Sequence, residues 1–328
     1  MTLKKIAELA NTSVATVSKA FSGSREISEP TAERIFDIAR ELGCYDKYFK
    51  GGRTRPVIGL LFPETESEYY SREIGLLERE ITRHGADTVV GITRFDQKRK
   101  ARLFSDMAYK LKVDGVIVSG TIGEIKNPDE IPLVAFSSAH LPDRSNIADE
   151  LWIDYAGGFE EAARVIKEYG HTRVGYIGEE LTKYKKELLC SALRKQGLPV
   201  CEELMYTSTL RFCEAGEDGF DVLEARGALP DVIVSAYDRI AIGAMMRAKI
   251  KGYSIPDDFS IIGVDDITMS NYLDTPLSSL HIHLEDACRN IVELIFKKMD
   301  NRHYREKKKI IIPVSLNIRK SLGRKQSN

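Results

Sequence analysis

The sequence predicts an α/β protein with a small helical domain at its N-terminus. Residues 3–21 read as two short amphipathic helices separated by a polar break, which is the spacing of a helix-turn-helix. From Pro56 onward, apolar runs of strand length alternate with segments of helix length, and such alternation requires parallel sheets with connecting helices. A chain of 328 residues has room for two or three folded units. We therefore expect a three-helix domain followed by a larger α/β core.

Helix periodicity and capping residues define the N-terminal domain. The apolar face of the first helix consists of Ile6, Ala7, Leu9 and Ala10. The segment 11–13 breaks this helix, and Ser13 is the expected N-cap of a second helix with a core face of Val17, Ala20 and Phe21. Gly23 is expected to end that helix. A third helix is expected between the cap Ser28 and the stop Gly43, with a core face of Ile35, Ile38, Ala39 and Leu42.

The outward face of the second helix is the candidate DNA-reading surface, because a recognition helix presents such positions to a major groove. Lys19 is predicted to donate to guanine O6 and N7, with a phosphate contact as the alternative. Val14 and Ala15 offer only apolar contact, for instance to a thymine methyl group. Hydroxyl groups near the helix ends are candidates for phosphate contacts. The predicted DNA-binding residues are Ser13, Val14, Ala15, Thr16, Ser18, Lys19 and Ser22.

The core begins with an apolar run at 57–62, followed by a helix over Tyr69–His84. Further strands are expected at 88–92, 115–119, 132–136, 173–178, 231–235 and 260–264.

A net positive charge lies at the N-terminal end of the chain. Residues 1–55 carry 10 Lys and Arg against 7 Asp and Glu (+3), whereas residues 56–328 carry 38 against 42 (−4). The N-terminal domain is therefore the part suited to nucleic acid.

Composition and missing motifs argue against several classes of protein. No stretch approaches the roughly 18 uninterrupted apolar residues of a membrane helix, and the N-terminus lacks the apolar core of a secretion signal. Five cysteines without Cys-x-x-Cys spacing argue against a disulfide framework or zinc site and for a reducing cytoplasm. Glycine-rich phosphate loops and the Gly-x-Ser-x-Gly motif are absent from the sequence. We therefore predict no enzyme activity, catalytic residue, cofactor or metal site.

The N-terminal strings T-L-K-K-I-A-E-L-A, T-S-V-A-T-V-S-K-A-F and I-S-E-P-T resemble the headpiece of the lac repressor and galactose repressor family. Three later strings are similar to the effector core of that family: V-D-G-V-I-V at 113–118, I-P-D-D-F-S-I-I-G-V-D-D at 255–266 and P-V-S-L-N-I-R-K-S at 313–321. The resemblance implies a core of type I periplasmic-binding-protein fold. In that fold, two parallel-sheet α/β subdomains face each other across an effector cleft.

The resemblance also implies a domain organisation. A helix-turn-helix headpiece would cover 1–45, a hinge 46–56, an effector-binding and dimerisation core 57–323, and a tail 324–328. Within the core, the N-terminal subdomain would comprise 57–152 and 283–311. The C-terminal subdomain would comprise 153–282 and 312–323.

The hinge departs from the family. Relatives usually carry an Ala-Arg-x-Leu helix whose leucine enters the minor groove, and the leucine is absent here. Gly51 and Gly52 weaken any helix by about 1 kcal/mol each relative to alanine. Tyr48 and Phe49 are candidate wedges that unstack a base step, and packing against the headpiece or the core is the alternative role. The predicted hinge residues are Tyr48, Phe49 and Arg53.

Several residues of the core fall where the family binds its effector. Asp265 follows a strand, at the edge where open α/β sheets bind ligands. Asp238 matches a family aspartate, although strand-end aspartates also serve as helix caps, and Tyr237 replaces the usual asparagine. Tyr69 and Tyr70 match paired phenylalanines of the family and are alternatively core-edge aromatics. The predicted effector-binding residues are Tyr69, Tyr70, Arg94, Lys185, Arg211, Tyr237, Asp238 and Asp265.

We expect a cytoplasmic, sequence-specific transcriptional regulator, a repressor, that binds a pseudo-palindromic operator in double-stranded DNA as a homodimer, without a membrane partner. A small carbohydrate-like effector would control its affinity. Arg94, Lys185 and Arg211 predict a cationic cleft, which keeps a phosphorylated or acidic sugar open. One alternative is a sugar-binding or sugar-processing protein with a vestigial headpiece. Another is a constitutive DNA-binding protein whose cleft has lost its ligand.

Overall fold

The computed structural model describes residues 3–22, 24, 26–48, 55–128, 130–138, 148–227, 229–300 and 308–325. Its helices are α1 (Leu3–Leu9), α2 (Val14–Phe21), α3 (Glu29–Glu41), α4 (Tyr45–Tyr48), α5 (Glu68–Arg83), α6 (Gln97–Ser105), α7 (Tyr155–Glu168), α8 (Lys183–Lys195), α9 (Phe212–Ala225), α10 (Asp238–Ile250) and α11 (Leu284–Asp300). Its strands are β1 (Val57–Phe62), β2 (Asp87–Ile92), β3 (Gly115–Ser119), β4 (Leu133–Ser138), β5 (Asp149–Ile153), β6 (Val174–Glu179), β7 (Met205–Ser208), β8 (Val232–Ser235), β9 (Ser260–Asp265), β10 (Ser278–Ile282), β11 (Lys309–Ile312) and β12 (Val314–Asn317). Within these ranges, no helix combines the length and apolar character needed to cross a membrane.

Local capping residues determine where the N-terminal helices begin and end. Ser13 caps α2 as predicted, because its Oγ accepts a hydrogen bond from the Thr16 backbone N–H at 3.0 Å. Ser28 occupies the N-cap position of α3, but its hydroxyl pairs with the Thr31 hydroxyl instead of a backbone N–H. Gly43 follows α3 with a φ of +61°, which confirms the predicted helix stop. Gly23, the predicted stop of α2, lies outside the described residues.

Helices α1 to α3 enclose a small apolar core. The predicted core residues of α2 are all buried, as are Ile35 and Ala39 of α3, while Ile38 and Leu42 are partly buried. The prediction for Leu9 is wrong, since 52% of this residue is exposed. At 3.6 residues per turn, Leu9 points about 100° away from the centre of the face formed by Ile6, Ala7 and Ala10. It therefore lies beyond the edge of the apolar face.

The core contains two six-stranded sheets, with strand orders β11-β5-β4-β3-β1-β2 and β12-β10-β9-β8-β6-β7. Central strands such as β3 and β8 are buried along their whole length, which explains their uninterrupted apolar sequences. The strands predicted at 57–62 and 115–119 coincide with β1 and β3. The sequence did not predict β5, β7 or β10, whose residues alternate less clearly and include polar side chains.

One strand contradicts the expectation of purely parallel sheets. β12 pairs antiparallel with β10, and Ile282 lies opposite Val314. The pairs β10–β9, β9–β8, β8–β6 and β6–β7 are parallel. β11 ends at Ile312 and β12 begins at Val314, so the chain passes directly from the first sheet into the second. This short passage lacks the helical crossover that precedes a parallel strand, and β12 therefore enters at the sheet edge in the opposite direction.

The chain crosses between the two sheets three times, after β5, after β10 and after β11. Helix α11 contacts β3 and β4, whereas α7 contacts β10 and β12. We call the first sheet with its connecting helices the first subdomain, and the second sheet with its helices the second subdomain. Because most strands within each sheet are parallel, the loops that follow them collect at one edge of each sheet.

Candidate functional site

The outward face of α2 is exposed, as a recognition helix requires. Of the predicted DNA-binding residues, six are exposed and Thr16 is half-buried; the exposed ones are Ser13, Val14, Ala15, Ser18, Lys19 and Ser22. Two hydroxyl groups are already engaged locally: Ser22 Oγ donates to the Lys19 carbonyl at 3.0 Å, and Thr16 Oγ1 lies 2.8 Å from Ser13 Oγ. These groups keep free acceptor lone pairs.

Lys19 is held by a neighbouring carboxylate. Its ammonium group forms an ion pair with Glu26, which lies between α2 and α3, and both side chains are exposed. This pairing lowers the pKa of Glu26, chiefly through the hydrogen bond from Lys19. Since an exposed pair of this kind contributes little stability, a DNA base or phosphate can compete for the Lys19 ammonium group.

Tyr48, in the predicted hinge, packs on the headpiece. The Tyr48 ring lies 6.0 Å from the Phe21 ring and joins the apolar core with Tyr45 and Phe36. This position favours the packing role of Tyr48 over the wedge role. Phe49 and Arg53 lie outside the described residues.

A cavity of about 560 Å³, including space open to solvent, lies among the strand ends of the core. Side chains that end or follow strands of both subdomains line it. Glu64, Phe95 and Tyr155 follow β1, β2 and β5 of the first sheet, and Glu179, Tyr237 and Asp265 end or follow strands of the second sheet. Ligands bind at this edge of open α/β sheets.

Arg211 links the two subdomains across this cavity. Its Nη1 and Nη2 atoms donate to the two carboxylate oxygens of Glu64 at 2.7 and 3.0 Å, a bidentate pair, and its Nε atom donates to Glu179 at 3.1 Å. Both carboxylates raise the pKa of Arg211, most strongly through the hydrogen bond to Glu64. Two further donors of the second subdomain reach the same segment: Arg239 donates to the Glu66 carbonyl at 3.1 Å, and Thr268 N donates to Glu68 at 3.2 Å.

The second cation of the cavity, Lys185, is buried. Its Nζ atom donates to the Ala236 carbonyl at 2.9 Å and lies 3.7 Å from Asp265 Oδ1. It also lies 4.6 Å from the centre of the Tyr155 ring. Burial raises the pKa of Asp265, and Lys185 opposes that shift. Asp265 is thus a partly buried acceptor at a strand end, with a φ of +95° that turns the chain sharply after β9.

Aromatic rings form much of the remaining wall. Tyr69 and Tyr70 are in the first turn of α5, with ring centres 5.1 Å apart. Burial raises the pKa values of Tyr69, Tyr70 and Tyr155 well above the usual range, so their hydroxyl groups stay neutral. Tyr237 Oη accepts a hydrogen bond from Phe212 N at 3.0 Å. Neutral hydroxyl groups beside flat apolar rings suit a ligand ring that has apolar faces and polar edges.

The structure does not bring all predicted effector-binding residues together. Tyr69, Tyr70, Lys185, Arg211, Tyr237 and Asp265 line the cavity, whereas Arg94 is exposed outside it. Asp238 is buried elsewhere: it accepts hydrogen bonds from Ser270 Oγ, Ser279 Oγ and Ile267 N. These bonds indicate that Asp238 joins α10 to the loop after β9 and to β10. The predicted cationic cleft is also wrong, because both cations of the lining are paired with carboxylates.

The sequence analysis missed Glu64, Glu179, Phe95 and Tyr155. Glu64 and Glu179 come within two residues of apolar strand runs, and Phe95 follows the strand β2 at a similar distance. A systematic search of the polar and aromatic residues after each predicted strand would have found these three. Tyr155 follows β5, which was not predicted.

A helix-turn-helix with an exposed recognition helix and two α/β subdomains around a polar cavity define a ligand-responsive DNA-binding regulator. Residues 2–45 match the family of bacterial regulatory proteins, lacI family, and residues 163–322 match a periplasmic binding protein-like domain. The chain thus carries a lacI-type DNA-binding domain at its N-terminus and is a DNA-binding transcriptional regulator.

Individual relatives agree with this assignment. The chain is 26% identical to the HTH-type transcriptional repressor PurR of Mannheimia succiniciproducens, with 98% of each chain covered. Its fold is similar to that of the lac repressor dimer bound to operator and the anti-inducer ONPF, with a TM-score of 0.76, 18% identity and 98% of each chain covered. It is also similar to the transcriptional regulator CelR–cellobiose complex, with a TM-score of 0.69, 21% identity, and 98% and 99% of the two chains covered.

Proposed function

We propose that this protein is a repressor that binds a pseudo-palindromic operator as a homodimer and responds to a small sugar-like effector in the core cavity. The observation that carries the DNA-binding part is the exposed face of α2 with its Ser13 cap. The repressor assignment is supported by the relative PurR of Mannheimia succiniciproducens. Because its target is chromosomal DNA, the protein would act in the cytoplasm, and we assign it no reaction.

The core cavity supports the proposal that the protein binds a small effector. Partly buried acceptors such as Asp265, neutral tyrosine hydroxyls and aromatic faces suit a hydroxyl-bearing ring. A structural neighbour, the CelR–cellobiose complex, holds a sugar. A constitutive DNA-binding protein, by contrast, would have no ligand that stabilises its core. A sugar-binding protein with a vestigial headpiece would bind no DNA sequence selectively.

We propose that the homodimer forms through an exposed apolar surface. This surface, which we call the α10 patch, consists of Met246, Ile250, Met269 and Tyr272. Ile250 and Tyr272 are 73% and 78% exposed. An ion pair between Lys249 and Asp274, at 2.6 Å, joins the end of α10 to the segment after Tyr272. Such a cluster of large apolar side chains favours a protein interface. A two-fold dimer also places two recognition helices on a symmetric operator.

Replacing Lys19 by alanine tests base recognition. Selection from random duplexes is expected to yield a two-fold symmetric site, and Lys19→Ala should weaken binding to that site by about 1–3 kcal/mol if Lys19 contacts a base. Electrophoretic mobility shifts on the selected site and on single-base variants measure the effect. A uniform loss on every sequence would instead identify a phosphate contact. Lys5→Ala, on the exposed side of α1, is the matched control.

Replacing Asp265 by asparagine tests the effector site. A bound effector at 100 times its dissociation constant should stabilise the core by about 2.7 kcal/mol, and Asp265→Asn should remove this stabilisation while operator binding without ligand is retained. Differential scanning fluorimetry with glucose, ribose, cellobiose and adenosine as probes measures the shift. If none of a broad panel of such probes shifts the wild-type transition, the constitutive alternative gains support.

A further inference from the structure

Both cationic side chains that line the cavity already have carboxylate partners within the chain. Lys185 is paired with Asp265, and Arg211 is paired with Glu64 and Glu179. The charged residues of the lining are thus three carboxylates and two cations, a formal net charge of −1. An anionic ligand would enter a cavity whose fixed charge repels it, unless one of these ion pairs opened.

The pairing of Arg211 with Glu64 uses the geometry that an anion would need. A guanidinium group recognises carboxylates and phosphates by two parallel N–H donors, and in Arg211 both Nη atoms donate to Glu64. The remaining Nε donor is used by Glu179. Glu64 and Glu179 are both buried, so water reaches these two carboxylates poorly, although 34% of the Arg211 side chain is exposed.

Displacing Glu64 would be costly for a second reason. A ligand phosphate on Arg211 would leave the Glu64 carboxylate in the cavity wall beside Glu179 without a cationic partner, because the other cation of the lining, Lys185, is paired with Asp265. Removal of one partner from a buried, hydrogen-bonded ion pair leaves an uncompensated charge, which is strongly unfavourable. An uncharged ligand avoids this problem, because it can donate hydroxyl protons to the carboxylates without separating the ion pair.

We propose that Glu64 is a charge filter: it occupies the anion-binding face of Arg211 and restricts the effector to uncharged, hydroxyl-bearing molecules. This inference rests on the proposed function, because it assigns a ligand class to the proposed effector cavity. It makes Glu64 a specificity-determining residue that excludes phosphorylated and acidic forms of a ligand while accepting their neutral parents.

Inorganic phosphate is a probe that tests the filter without knowledge of the effector. Wild-type protein should show no stabilisation by phosphate beyond that of sodium chloride at matched ionic strength. Glu64→Gln removes the negative charge and one of the two acceptor oxygens that hold the Nη donors of Arg211. It should increase phosphate affinity roughly 10- to 100-fold, the range expected for a charge-assisted bidentate contact. Thermal unfolding and isothermal titration calorimetry measure the gain.

Two further variants show where phosphate binds. The double variant Glu64→Gln/Arg211→Gln should lose the gained affinity, because the guanidinium group is gone. Glu180→Gln removes an exposed carboxylate that pairs with Lys183 outside the cavity lining, and it should leave phosphate affinity at the wild-type level. If Glu64→Gln does not fold, Glu64→Ser provides the same test with a smaller side chain.

The outcomes separate this inference from the proposed function. Phosphate binding by wild-type protein that requires Arg211, or absence of a gain in both Glu64 variants, would overturn the filter. Paired probes extend the test: glucose with glucose 6-phosphate, and adenosine with adenosine monophosphate. If wild-type protein binds the phosphorylated member of a pair as tightly as the neutral one, this result also contradicts the charge filter. A gain in Glu64→Gln with no response of wild-type protein to neutral probes supports the filter and contradicts the effector assignment.

Discussion

Ile250→Asp and Tyr272→Asp are each expected to convert a dimer into monomers and to lower operator affinity by about 10²- to 10⁴-fold. The two side chains are the most exposed members of the α10 patch, and a carboxylate placed there would be buried without a partner in an apolar interface. Loss of the dimer separates the two recognition helices, so the second half-site is no longer bound at high effective concentration.

Sedimentation velocity and operator titration of the same samples test this prediction. Ile318→Asp is the matched control, because Ile318 is an exposed apolar residue beyond β12, at the edge of the second sheet. It should leave both the dimer and the operator affinity unchanged. A wild-type monomer, or a dimer that persists in both patch variants, would contradict the proposed interface.

Glu73→Gln is expected to make the protein much less sensitive to rising pH. Glu73, on α5, is fully buried, and Ser119 Oγ donates to its Oε2 atom at 3.0 Å, while its Oε1 atom has no hydrogen-bond partner among the described residues. Burial raises the pKa of this carboxyl group from 4.5 to about 8. The group is therefore protonated in the folded protein at neutral pH, whereas it is ionised in the unfolded chain.

The sign of the pH effect follows from proton binding. Below the unfolded pKa of 4.5, both states hold the proton, and the contribution of Glu73 to stability is fully present. As the pH rises from 4.5 to about 8, only the folded state binds the proton, so the free energy of unfolding falls by about 1.4 kcal/mol per pH unit. Between about pH 5 and pH 8, this loss amounts to about 4 kcal/mol.

Urea denaturation at about pH 5 and pH 8 measures the effect as a difference between variant and wild type. That difference is needed because burial also raises the pKa of Asp238 to about 8, which adds its own pH dependence to both proteins. The stability of Glu73→Gln relative to wild type should rise by about 4 kcal/mol between the two pH values. Glu78→Gln, at an exposed position of α5, should show no such change. Equal pH dependence in Glu73→Gln and wild type would rule out a buried, protonated Glu73.

The elements that the sequence predicted well are those governed by local rules. The capped helix α2 depends on Ser13 and on apolar spacing within eight residues, and both are visible in the chain itself. The strands β1 and β3 coincide with their predicted limits because continuous apolar runs bounded by turn residues indicate buried strands. Leu9 was misplaced because it lies at the margin of an apolar face, where periodicity decides little.

The cavity depended on contacts that sequence spacing does not reveal. The position at a strand end led to Asp265, because parallel strands collect their carboxyl ends at one edge, whereas Arg211 was chosen by its resemblance to a family position. Its partner Glu64, however, lies 147 residues away, and Lys185 reaches Asp265, at the end of β9, from helix α8. Whether a cation is available to a ligand depends on those partners, and a count of arginines and lysines therefore predicted a cationic cleft where the folded chain has paired charges.

The sequence by itself determined that the protein has a DNA-reading helix and an α/β core, and that it resembles one family of regulators. Helix caps, apolar periodicity and sequence motifs are properties of residues close together in the chain, so they can be recognised without the tertiary structure. Only the folded chain decided that Asp238 is enclosed by Ser270 and Ser279, that β12 runs antiparallel, and that Glu64 occupies the donors of Arg211. These features arise when distant segments pack together, since hydrogen-bond partners and buried charges are set by spatial neighbours.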